Sequence, residues 1–133
     1  MKSHLDLARG WLLKAHSDLT NARLCIESRQ ALDTACFHAQ QAAEKALKGY
    51  LVARQADFPL THDLNRLVDL CAEKDAAFDE LRSTASPLTP YAIELRYSSD
   101  FWPTLETASA AWDAASRIVE FVEERRPELR DQK

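Results

Sequence analysis

Glycine is almost missing from this chain: two residues in 133, with five prolines and three cysteines. So little glycine rules out a Gly-rich phosphate loop and a dinucleotide fingerprint, and no GxSxG stands in the sequence. Three scattered cysteines, Cys25, Cys36 and Cys71, do not make a disulfide framework, and each lies among apolar residues where a free thiol acts as a small hydrophobe. A reduced, cytoplasmic protein is the expectation. No apolar run reaches the ~18 residues of a membrane span, and the first residues do not read as a signal peptide. The net charge of −4 lacks the basic footprint that coating a nucleic-acid backbone requires, although a local basic cleft fits within it.

What is present is apolar, charged and helix-forming: 46% hydrophobic and 29% charged residues, rich in Ala, Leu, Glu, Lys and Arg. The length suits one domain, residues 1–126, followed by a frayed tail at 127–133. A first helix is predicted from Ser3, its N-cap, to about Arg29, with Leu5, Trp11, Leu12, Ala15, Leu19, Ala22 and Ile26 inward and Lys14, Asp18, Asn21 and Arg23 elsewhere. A short interval leads to a second helix, about Ala31 to Arg54, so the two are antiparallel. Pro59 breaks the chain, and Thr61 or Asp63 caps a third helix, about His62 to Lys74. A fourth starts near Asp75 and is kinked or restarted at Pro87 and Pro90. The last long helix opens near Pro103, capped by Ser99 or Asp100. The fold class is all-α: an antiparallel up-and-down bundle of four long helices plus a short one.

The second helix poses the functional question. In "CFHAQQAAEKALKGYL" the alanines fall on one broad arc, so more than one neighbour covers it. The remaining strip carries His38, Gln41, Glu44, Lys45 and Lys48, with Phe37 inside it. A cation, an imidazole and an amide on one stripe can hold a phosphate or a base edge. Alternatively the strip is an ordinary solvated face with a Glu44–Lys48 pair. Two further candidates are "ELRYSSDFW", which gathers Glu94, Arg96, Tyr97, Asp100 and Trp102 at a helix end, and His62 in "PLTHDL". Metal ligation is not suggested: Cys36 and His38 point in nearly opposite directions on a helix, and no HExxH or CxxC occurs.

Taken together, Ala8, Trp11–Leu12, Ala15 and Asp18–Leu19 in the first helix, the His38-x2-Gln41-x2-Glu44-Lys45-x2-Lys48 run, "THDLNRL", and "YAIELRY" ending in Arg96–Tyr97 resemble the HEPN family (higher eukaryotes and prokaryotes nucleotide-binding domain). The resemblance implies a helical bundle that forms a homodimer with a cleft at the interface. It also implies a minimal nucleotidyltransferase as partner in a toxin–antitoxin-like module. On that basis Lys45, Lys48 and Arg96 are expected to meet phosphate charge, Tyr97 to stack, and His38 and Gln41 to hydrogen-bond a nucleotide such as ATP or GTP, with no cofactor required. Many members are metal-independent ribonucleases using Arg-x4–6-His. Here the positions after Arg96 where that histidine belongs hold Phe101, Trp102 and Pro103, so a silent binding module is expected. The alternative is a ribonuclease built on Arg96 and an imidazole from His38 or His62.

Overall fold

The computed structural model describes residues 1–93, 95 and 97–130. Three long helices carry the bundle: α1 (His4–Ser28), α2 (Leu32–Ala53) and, after α3 (Leu64–Lys74) and the single turn α4 (Arg82–Ala85), α5 (Leu105–Arg125). All regular structure among the described residues is helical, as the patterning requires.

Each helix starts where its sequence supplies an acceptor. Ser3 and Asp6 form a reciprocal capping box on α1. Asp63 caps α3 through Asn65 N, and Thr61 steadies that turn by accepting from Asp63 N. The cap of α5 is Thr104, which accepts from Thr107 N, rather than Ser99 or Asp100. Proline at 103 stands just outside the helix, leaving the next residue, a better acceptor, to close the first turn. The turn from α1 to α2 is tight enough to put Arg29 and Ala31 in the left-handed region, at φ 58° and 52°. α2 and the single turn α4 are the exceptions and begin without a side-chain cap.

The expected kinked fourth helix is instead a run of short turns: 3₁₀ from Ala76 to Leu81, α4, then 3₁₀ from Ser86 to Tyr91. Pro87 and Pro90 supply no N–H, so the i→i−4 ladder cannot propagate and tighter turns replace it. Residues 127–129 form a further 3₁₀ turn with Leu129 buried, and Arg9 Nε donates to Glu128 O at 2.8 Å. The chain thus stays packed on α1 through Leu129; residues 131–133 lie outside those described.

α2 runs through the centre. Ala35, Ala39, Ala42, Ala43 and Ala46 are all fully buried, with Leu47, Tyr50 and Leu51. Small side chains let α1 approach closely, and Gly49 is a point of tight contact: a Cβ there would lie 2.5 Å from Leu12 Cδ2 and 3.0 Å from Trp11 Cβ. Phe78 fills the far end between Tyr50 and Phe121, with ring centroids at 4.3 and 5.0 Å. Trp112 on α5 packs inward and donates its indole N–H to Leu19 O of α1.

Candidate functional site

The polar strip of α2 is not a solvated face. Glu44 and Lys48 are buried, and Lys48, only 7% exposed, places Nζ 3.0 Å from Glu44 Oε2. Its ammonium also lies 6.0 Å from the Trp11 ring centroid and 5.7 Å from that of Phe58. Lys45 reaches across to α1, where Nζ sits 2.7 Å from Asp18 Oδ2. His38 Nδ1 meets the other oxygen of the same carboxylate, also at 2.7 Å. Asp18, expected on the polar side of α1, is thus buried and receives both of these strip residues.

Glu44 is the second hub. Its Oε1 accepts from Gln40 Nε2 at 3.1 Å and faces His62 Nδ1 at 2.8 Å, while Gln41 Nε2 stands 2.7 Å from Gln40 Oε1. Gln40 Nε2 also donates to the backbone carbonyl of His62, which locks the loop before α3 onto α2. Two buried carboxylates therefore each hold one lysine and one histidine. Burial alone would raise both acids, but the His38 and Lys45 contacts hold Asp18 below the usual carboxylate range. Glu44 is lowered in the same way, against its burial, by His62, Lys48 and Gln40. Both are anionic at neutral pH.

An ionised carboxylate can only accept, so the Nδ1 of His38 and of His62 carries a proton and donates it to Asp18 and Glu44 respectively. The His62 side chain is half exposed, at 52%. It lines a groove of about 380 Å³ with Asp63, Thr89, Pro90, Ala92 and Ile93. His16 on α1 makes a third such pairing, 3.0 Å from Glu123 on α5. Every one of these imidazoles therefore pins two segments of the bundle through a carboxylate.

The predicted residues thus divide into two hubs: His38 and Lys45 gather on Asp18, while Gln41, Lys48 and His62 gather around Glu44. Arg96 and Glu94 lie outside the described residues; Tyr97 is exposed near the chain that leads into α5. Sequence reasoning missed Asp18 and Gln40. Gln40 had a signal, because it stands four residues after Cys36 and seven before Leu47, in the middle of the buried arc of α2. Asp18 offered a weaker one, next to Leu19 at the margin of the apolar stripe of α1.

Known proteins share this arrangement of helices. The HEPN domain family profile matches residues 8–125. This chain belongs to the HEPN family. Among solved structures it is similar to TT1696 from Thermus thermophilus, at 33% identity and a TM-score of 0.78, covering 89% of this chain and 97% of that one. It is also similar to ST0689, described as an archaeal HEPN homologue, at 25% identity and a TM-score of 0.75, covering 94% and 98% of the two chains. No curated protein matches it. None of the helices among the described residues of this HEPN protein is long and apolar enough to cross a membrane.

Proposed function

We propose that this HEPN protein is a catalytically silent homodimeric module whose ligand is another protein. A minimal nucleotidyltransferase in a toxin–antitoxin-like pairing is the partner class its family suggests. One observation carries this reading: both lysines of the α2 strip are already bound to buried carboxylates, Lys45 to Asp18 at 2.7 Å and Lys48 to Glu44 at 3.0 Å. A nucleotide phosphate would have to compete with an anion for each. Drawing a lysine away would leave a buried carboxylate without its cationic lysine partner, held by its histidine and, for Glu44, by Gln40. The strip is therefore better suited to holding the bundle together than to binding ATP or GTP.

The test is to mix the purified protein with a minimal nucleotidyltransferase from the same organism and to measure solution mass by light scattering. A parallel thermal-shift series uses ATP and GTP alone. A stable complex with no nucleotide shift supports the proposal. Absence of a complex, with a nucleotide-induced shift lost in Lys45→Ala, overturns it in favour of nucleotide binding.

A second reading rests on His62. An imidazole oriented by a buried anion through Nδ1, its half-exposed ring lining a groove, is the arrangement of a general base. In a ribonuclease it would take the 2′-hydroxyl proton while Arg96 met the phosphorane charge. Metal-free cleavage of a mixed RNA pool, lost in both His62→Gln and Arg96→Ala, would establish this reading over the silent one.

A further inference from the structure

The buried Glu44–Lys48 pair is covered by a stretch of chain that is itself buried nowhere. Residues 54–63 join α2 to α3, and none of them is buried. Leu60, near the middle of this connection, is fully exposed. Its two ends are fixed: Ala56 N donates to Leu51 O at 2.9 Å, and Leu64 N donates to Thr89 Oγ1 at 3.2 Å. Between them, no backbone N–H from 57 to 62 is hydrogen-bonded among the described residues. The stretch is held instead through two side chains and one carbonyl. Phe58 sets its ring centroid 5.7 Å from the Lys48 ammonium and meets Trp11 edge-on, at 6.4 Å between centroids. His62 meets Glu44 Oε1 at 2.8 Å, and its carbonyl accepts from Gln40 Nε2 at 3.0 Å.

We propose that residues 57–62 are a strap that opens as a unit over Glu44 and Lys48 while the helices stay folded. Segments with few buried apolar contacts and unbonded backbone open at the lowest free energy in a fold. What the strap covers lowers that cost further. Glu44 is 4% exposed and Lys48 7%, and opening returns both ionic groups to water. Lifting a lid from leucines would instead expose apolar surface. The bond between Glu44 and Lys48 lies within α2, so it survives the motion. Closing seats the His62 ring on Glu44 and lays Phe58 over Lys48 in one movement. Opening turns the covered pair into an accessible polar surface beside Trp11 and releases His62 from the carboxylate that orients it. The strap thus regulates both the α2 strip and the imidazole, whichever ligand the protein takes.

The experiment is amine labelling of the full chain with a bulky succinimidyl ester, read residue by residue by mass spectrometry. It is run at several urea concentrations, all below the unfolding transition. Lys14 is the exposed reference, and Lys45, held by Asp18 in the other hub, is the control outside the strap. Lys48 should label more slowly than Lys14, by a route that hardly responds to urea because little surface is uncovered. His62→Ala should speed Lys48 roughly tenfold and leave Lys45 unchanged. The sign is diagnostic. Glu44 holds His62 through Oε1 and Lys48 through Oε2, so losing the imidazole by itself would make Glu44 hold Lys48 more firmly. Faster labelling therefore comes from a freed strap. Lys48 labelling as fast as Lys14, or only in step with global unfolding, overturns the strap from the wild type alone. An unchanged Lys48 rate in a folded His62→Ala variant, or equal acceleration of Lys45, overturns it as well.

Discussion

Asp18 of α1 holds Lys45 of α2 across 2.7 Å, and its second oxygen holds His38 at the same distance. The carboxylate is buried, whereas Lys45 and His38 each keep a quarter of their side-chain surface in solvent. Removing one partner of such a pair leaves the others without compensation. Asp18→Ala is therefore expected to cost about 2–3 kcal/mol, below the full loss of a wholly buried pair because Lys45 keeps some hydration. Urea unfolding measures it. Replacing the pair together, Asp18→Leu with Lys45→Met, should recover most of the loss; a double variant as unstable as the single one would show that the hub contributes more than mutual neutralisation.

Acid should loosen the bundle through these same hubs. Asp18 and Glu44 both have lowered folded-state pKa values, so their stabilisation is fully present above the unfolded-chain values of about 3.9 and 4.3. It is lost as pH falls from there through the lower folded values. Unfolding free energy should thus decline below about pH 4.5, and the decline should be shallower in Glu44→Gln. Equal slopes for wild type and variant would mean that other carboxylates dominate acid unfolding.

Gly49→Ala tests the contact between α1 and α2. The added methyl would meet Leu12 Cδ2 at 2.5 Å and Trp11 Cβ at 3.0 Å. The gain in helix propensity is ~1 kcal/mol, whereas forcing a methyl into a packed interface costs ~1–3 kcal/mol. The expected outcome is a net loss of about 1 kcal/mol, read as a lower denaturant midpoint. An unchanged or higher midpoint would mean that α1 slides away at little cost.

Arg29 closes α1 in the left-handed region, where its backbone N–H donates to Ile26 O at 3.1 Å and Gln30 N donates to Cys25 O at 3.1 Å. Glycine is the residue suited to this terminus, since a side chain there costs ~1 kcal/mol or more. Arg29→Gly should stabilise the fold by up to about 1 kcal/mol and raise the melting temperature by several degrees for a domain of this size. A melting temperature that stays level or falls would show that the arginine side chain makes up for its backbone strain.

The polar residues were unevenly legible in the sequence. The alignment of His38 with Lys45, and the spacing that joins Glu44 to Lys48, follow from helical geometry alone and are present in the structure. What the spacing did not reveal was that the strip is covered. Gln40 could have warned of it, because a polar side chain inside an alanine and leucine arc needs a partner, and it finds Glu44 and the carbonyl of His62. The fourth helix was misjudged in form for a related reason: the prolines mark a break, but whether the chain kinks or steps into 3₁₀ turns depends on what it packs against.

Composition and period by themselves determined that this protein is a helical bundle, that α2 is its buried axis, and where most helices begin. The same residues carried its family membership, because these properties are set by contacts within a few residues along the chain. The tertiary structure alone decided that Asp18 meets Lys45, 27 residues away, and that Glu44 meets His62, 18 residues away. Such pairs depend on the distance and rotation between packed helices, which a one-dimensional period does not contain. For that reason a row of cations that reads as an open phosphate site in the sequence is, in the folded chain, the neutralised half of two buried ionic hubs.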